Sequence, residues 1–112
     1  MNLLATTSRS VSLAALCTLL ALPAAQAAEH TVTQKAKAFS TATLSIKVGD
    51  KVLFRNDDTV SHNVFSLTDP MTFDLGTYTA GQAKDVVFTK EGKFEIECAI
   101  HPDMKMVVVV SK

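Results

Sequence analysis

Residues 92–110 read GKFEIECAIHPDMKMVVVV. Phe94, Ile96 and Cys98 alternate with Lys93, Glu95 and Glu97, the period-two pattern of a strand with one face inward and one face outward. Seven residues interrupt the pattern, with Pro102-Asp103 among them. The chain then resumes at Met106 as MVVVV, apolar on both faces. Such a run suits a strand covered on both sides, and central placement in a sheet would remove its tendency to aggregate. Two strands joined by a short loop are therefore the nucleus from which the rest is read.

The same signals recur upstream. Thr43–Val48 (TLSIKV) places Leu44, Ile46 and Val48 on one face, and Gly49-Asp50 permits a sharp turn into Lys51–Arg55 (KVLFR). Asn56-Asp57-Asp58 is a turn cluster, followed by a strand over Val60–Leu67 whose facing changes after Val64. Asp69-Pro70 ends it. A short strand and loops fill 71–83, Lys84–Thr89 is a strand, and Lys90-Glu91-Gly92 turns the chain. A first strand lies within 31–39. Short strands at spacings of about 8–12 residues, bounded by turn residues, indicate an all-β fold. The expected architecture is a Greek-key β-sandwich or small barrel of seven to eight strands, with no second domain.

The first 27 residues differ in kind. Arg9 gives a short positive start, Val11–Leu22 is apolar apart from Ser12 and Thr18, Pro23 breaks the run, and Ala25-Gln26-Ala27 fits an A-x-A cleavage site. Residues 1–27 read as a signal peptide. The apolar run is short for a membrane span, and bulky Leu16 before Cys17 argues against lipoprotein processing. The expected mature domain is 28–112, exported to the periplasm or beyond. The whole chain balances 11 Lys+Arg against 11 Asp+Glu, and loss of Arg9 leaves the domain slightly acidic. That excludes a broadly basic nucleic-acid surface.

Processing also removes Cys17 and leaves Cys98 alone, so an internal disulfide is impossible. A lone thiol in an oxidising compartment is a hazard unless occupied. Its neighbours supply an occupation: Cys98, His101 and Met104 fall at i, i+3 and i+6 in one tight loop, and His62 lies 36 residues upstream. Thiolate, imidazole and thioether together suit copper. His62, Cys98 and His101 would form a plane, with Met104 as a weak axial ligand. Structural zinc would leave Met104 without a task. Haem attachment and iron–sulfur motifs are absent, and a Cys98 nucleophile paired with His101 lacks an orienting acid. Met106, at the start of a strand, reads as core. Met71 is assigned to an apolar surface near the site. A second metal position is conceivable at a new N-terminus, where Ala28-Glu29-His30 puts an imidazole third from a free amine; otherwise that tip is solvated.

Together, Gly49-Asp50, Val52–Asp57 (VLFRND), His62-Asn63 and Gly92–Cys98 with His101 and Met104 resemble the cupredoxins, the type 1 (blue) copper proteins. The two-residue gap between His101 and Met104 is most similar to amicyanin, and shorter than in plastocyanins and pseudoazurins. The resemblance spans roughly 39–112. It implies that His62, Cys98, His101 and Met104 are the metal ligands of one copper ion and that Asn63 tethers the cysteine loop. Glu97 and Ala99-Ile100 depart from the usual pattern around the cysteine, so amicyanin's partner does not transfer.

A rigid sandwich holding copper between Cu(II) and Cu(I) implies a mobile one-electron carrier rather than an enzyme. Cys98 should then be buried and His101 should break the surface in an apolar rim drawn from Pro70, Met71, Ile100 and Pro102. Expected partners are transient redox proteins (a cytochrome, dehydrogenase, oxidase or reductase), with no nucleic acid, no stable membrane insertion and a monomeric state. The alternative is a copper storage or delivery protein.

Overall fold

The computed structural model describes residues 10–16, 18 and 26–112. Most of the expected signal peptide, including Arg9, Cys17, Pro23 and Ala25, lies outside the described residues. Among those described, no helix is long and apolar enough to cross a membrane.

Nine strands follow in chain order: β1 Glu29–Lys35, β2 Ala38–Phe39, β3 Thr43–Lys47, β4 Lys51–Asn56, β5 His62–Ser66, β6 Phe73–Tyr78, β7 Ala83–Val87, β8 Gly92–Glu97 and β9 Lys105–Ser111. They form two sheets, ordered β2-β1-β4-β7 and β3-β9-β8-β5-β6. The all-β expectation holds, and the architecture is a cupredoxin-like β-sandwich. The chain crosses between sheets at β2–β3, β3–β4, β4–β5, β6–β7 and β7–β8. Strands distant in sequence therefore become neighbours, as in the parallel pairs β1–β4 and β3–β9. The count exceeds seven to eight because β1 and β2 are a hairpin with a two-residue turn. Ala36 and Lys37 both have positive φ there (52° and 55°), the geometry whose twist matches flanking strands.

The two-layer core gathers Val32 from β1, Ile46 from β3, Val52 and Phe54 from β4, Val64 from β5, Tyr78 from β6, Phe94 and Ile96 from β8, and Met106, Val108 and Val110 from β9. Phe88, just past β7, joins them and meets Phe94 and Phe73 ring to ring (centroids 5.6 and 5.8 Å apart). The inward set Phe94, Ile96 and Cys98 is as the alternation predicts, and β9 is indeed central, hydrogen-bonded to β3 and β8. Its Val107 and Val109 are half-buried on the outer face.

Four local expectations need correction. Val60 lies outside the strand and is exposed, because Asn56 holds the 56–60 turn by donating from Nδ2 to the Val60 carbonyl (2.9 Å). The strand starts at His62, and the expected change of facing is a register shift between Asn63 and Phe65. Leu67 is 74% exposed and falls beyond the strand. The first strand starts at Glu29, earlier than expected, because Ala28 and His30 are tied to Asp50: the Ala28 N–H donates to Oδ1 (2.9 Å) and His30 Nε2 lies 3.0 Å from Oδ2. The tip is thus held against the fold, with the His30 ring turned onto a carboxylate.

Candidate metal centre

Each end of the sandwich has its own loops. Pairing of His62 with Tyr78, and of Glu97 with Lys105, puts the start of β5 and the 98–104 loop at one end. Pairing of Gly92 with Val110 puts the start of β8 at the other. His62 is delivered by the first position of β5, Cys98 by the residue after β8, and His101 and Met104 by the loop into β9.

Three of the four expected site residues converge. Cys98 Sγ lies 3.8 Å from His62 Nδ1 and 3.8 Å from His101 Nδ1, and the two Nδ1 atoms are 3.1 Å apart. Among the described residues this is the one group of three His, Cys or acidic donors able to share a metal ion. A central ion with bonds of about 2.0 Å to nitrogen and 2.3 Å to sulfur holds planar donors roughly 3.5–3.7 Å apart. The two sulfur–nitrogen edges match that size, the nitrogen–nitrogen edge of 3.1 Å is shorter and would open slightly around an ion, and the thiolate-plus-imidazole chemistry suits copper. The structure thus contains a His/Cys/His cluster typical of a type 1 copper site.

Met104, the fourth, is 1% exposed, and its N–H donates to the His101 carbonyl (2.9 Å), closing the loop. It is buried yet lies outside the contiguous apolar core, whereas Met106 belongs to that core. Burial differs among the donors in a useful way. His62 is 0% and Cys98 2% exposed, while His101 is only half-buried. Ile100 and Pro102 beside it are exposed.

The surroundings fix the donors. Asn63 Oδ1 accepts the Ala99 N–H (2.7 Å), the tether expected between β5 and the loop. Asp58, unnoticed as a site residue in the sequence, holds the far side of the His62 ring: its Oδ2 is 3.0 Å from Nε2. That leaves Nδ1 facing Cys98 and His101. The same Oδ2 accepts the Lys37 N–H (2.9 Å) and Oδ1 the Thr59 N–H (2.8 Å), which with His62 keep the Asp58 carboxyl lowered to about 2. The available signal was an acidic residue four before a candidate ligand, hidden in a turn cluster. Behind Asn63, fully buried Gln34 donates to its carbonyl (3.4 Å) and accepts the Tyr78 hydroxyl. Burial raises the Tyr78 phenol above its ordinary range, and the Cys98 charge adds to that.

Two expectations about the rim fail. Pro70 and Met71 lie in the β5–β6 connection, at the end away from the His62–Tyr78 pair. Met71 Sδ accepts from Thr89 Oγ1 (3.7 Å), just before β8 begins. A six-residue strand separates that point from Cys98, roughly 20 Å. Glu97 faces outward as expected but pairs across the strands with Lys105 (3.7 Å).

Comparison with known proteins agrees with this geometry. The family described as "Copper binding proteins, plastocyanin/azurin family" matches residues 26–111. The methylamine utilization protein MauL of Methylorubrum extorquens is 36% identical over 98 residues, covering 87% of this chain and 85% of its own. Among solved structures, an amicyanin variant in its reduced Cu(I) form superposes with a TM-score of 0.68 at 28% identity, covering 73% of this chain and 81% of that one. The copper-containing nitrite reductase of Thermus scotoductus gives 0.71 at 27% identity over 75% of this chain. The chain spans only 22% of that enzyme.

Proposed function

Given that the chain belongs to the plastocyanin/azurin family of copper binding proteins, we propose that it is a mobile one-electron carrier, with copper held by His62, Cys98, His101 and Met104. The observation that carries this reading is the convergence of a buried thiolate and a buried imidazole with a half-exposed one, 3.1–3.8 Å apart, on a frame of paired strands. Copper, when bound, supplies the Cu(II)/Cu(I) couple.

The chain's residues supply the rest. Two sheets and the Asn63–Ala99 bond fix the donors before any metal arrives, which lowers the rearrangement needed on changing oxidation state. Asp58 orients His62, and burial shields the Cys98 thiolate from water and oxidants. His101, flanked by exposed Ile100 and Pro102, brings one ligand to the surface where a partner can approach. A small apolar contact there suits brief encounters with a cytochrome, dehydrogenase or oxidase. The similar MauL is named a methylamine utilization protein, so redox proteins of methylamine use are the first partners to try. The chain holds a single donor cluster among its described residues and spans a fifth of the nitrite reductase, so we read it as a carrier and not an enzyme. We also read residues 1–27 as a signal peptide and 28–112 as the mature, periplasmic domain.

The test is addition of Cu(II) to the purified mature protein, followed by optical and paramagnetic-resonance spectra and electron exchange with a soluble redox dye. An intense visible thiolate band, small copper hyperfine splitting and reversible reduction without metal loss are expected. A colourless adduct with ordinary tetragonal splitting overturns the site. Coloured protein that exchanges electrons slowly but hands Cu(I) to an acceptor favours storage or delivery instead.

A further inference from the structure

At the end of the sandwich away from the metal centre, Asp50 is a carboxylate only 4% exposed. It follows Gly49 in the β3–β4 turn, and three donors reach it. The Lys47 N–H donates to Oδ2 (3.0 Å), His30 Nε2 lies 3.0 Å from Oδ2, and the Ala28 N–H donates to Oδ1 (2.9 Å). The hydrogen bonds with His30, Lys47 and Ala28 lower the carboxyl to about 2, so it is an anion at neutral pH. Among the described residues no Lys or Arg pairs with it. The nearest in sequence are engaged elsewhere: Lys47 Nζ donates to the Lys112 carbonyl (3.1 Å), and Lys51 Nζ lies 4.0 Å from Asp85. The one candidate cation beside it among the described residues is the His30 imidazole, which is charged only when protonated.

A permanently charged partner is one bond away. Gln26, Ala27 and Ala28 are exposed and outside any strand, so the Ala27–Ala28 bond is open to a protease immediately before β1. Ala28 is also fixed from its other side, its carbonyl accepting the Lys51 N–H (3.0 Å). We propose that cleavage at Ala27–Ala28 turns the Ala28 N–H into an α-ammonium group that ion-pairs with buried Asp50, so that removal of the leader completes the charge balance at the base of β1. In the cleavage, the C–N bond breaks and water adds across it: its oxygen makes the Ala27 carboxylate, and both its hydrogens end on the Ala28 nitrogen as –NH3+. The new ammonium occupies a seat already built for its nitrogen and locks the register of β1 against β4, in which Glu29 faces Lys51 and His30 faces Val52. Its surroundings are His30 from β1, the Lys47 N–H from β3 and the Asp50–Lys51 backbone.

This rests on the export reading but not on copper, and its test reads neither colour nor potential. The full chain is expressed with export, and the purified protein is examined by intact mass and by acylation of its α-amine at pH 7. A mass beginning at Ala28 is expected, with acylation about tenfold slower than for an ordinary α-amine, equivalent to one pKa unit. Asp50→Asn restores the ordinary rate. Should that variant not fold, insertion of Ser-Gly between Ala27 and Ala28 moves the amine away while keeping Ala28 as an amide donor, and acylation again becomes fast. A mature mass starting elsewhere overturns the proposal, as does a native amine that reacts as fast as the inserted one. A chain that keeps residues 1–27 defeats the export reading as well, whereas a correctly processed chain with an ordinary amine defeats only this one.

Discussion

The tether between Asn63 and the cysteine loop offers the sharpest test of how the site is held. Between Cys98 and Met104 the backbone makes two hydrogen bonds among the described residues: Ala99 N–H to Asn63 Oδ1 (2.7 Å) and Met104 N–H to the His101 carbonyl (2.9 Å). The second is internal to the loop, so the first is the one bond by which the loop backbone is fastened to β5 among the described residues. Asn63→Ala removes it. A net hydrogen bond contributes about 1 kcal/mol, and leaving a partly buried donor unpaired costs about 1–3 kcal/mol. Freeing even one residue of the loop adds about 1–2 kcal/mol of ordering entropy, which metal binding must then offset. The lost bond weakens the metal-free and metal-bound folds alike, so the ordering cost alone bears on metal binding and predicts copper affinity lower by about 5–30-fold, overlapping the range seen when groups supporting metal ligands are removed. Asn63→Asp keeps an acceptor at that place and should lose much less. The assay is competition for Cu(I) against a chelator of known affinity, with urea denaturation of the metal-free protein as a control for folding. Affinity of the Ala variant within twofold of the native protein would refute the claim that this bond preorganises the loop.

The other predictions concern separate parts of the molecule. Cys98→Ala abolishes the visible band, while Met104→Ala keeps copper and shifts the reduction potential, read by spectroelectrochemistry; an unchanged potential would shift the axial role to Met106. Met106→Ala, which opens the apolar core, lowers stability by about 2–5 kcal/mol in urea denaturation with the potential unaltered. Asp58→Ala leaves the buried His62 ring without its partner, and copper affinity measured by the same competition falls at least tenfold. Asp50, lowered from 3.8 to about 2, favours the folded state fully above pH 4. That contribution disappears as pH falls from about 4 to 2, so the urea midpoint of metal-free protein drops over this interval, and drops less in Asp50→Asn.

Local pattern carried much of the fold. The alternation of Phe94, Ile96 and Cys98 needed no partner to be read, because a strand's faces are set by its own backbone period. The boundaries that slipped all depended on distant groups. Val60 leaves the strand because of a bond to Asn56, and β1 starts at Glu29 because Asp50, some twenty residues on, holds Ala28 and His30. Pro70 and Met71 were misplaced for a similar reason: their apolar character was legible, but the end of the sandwich they occupy follows from β5–β6 pairing.

By itself the sequence determined the donor types and their local spacing, since Cys98, His101 and Met104 share one loop and their chemistry is intrinsic to the side chains. It also determined which residues face inward along each strand. Tertiary structure alone decided that His62 meets that loop, that Asp58 takes its outer nitrogen, and that Asp50 gathers the base of β1. Those meetings join residues 20–39 positions apart or hidden in a turn. They arise from the order in which two sheets exchange strands, a property of the whole chain's packing that no single stretch encodes.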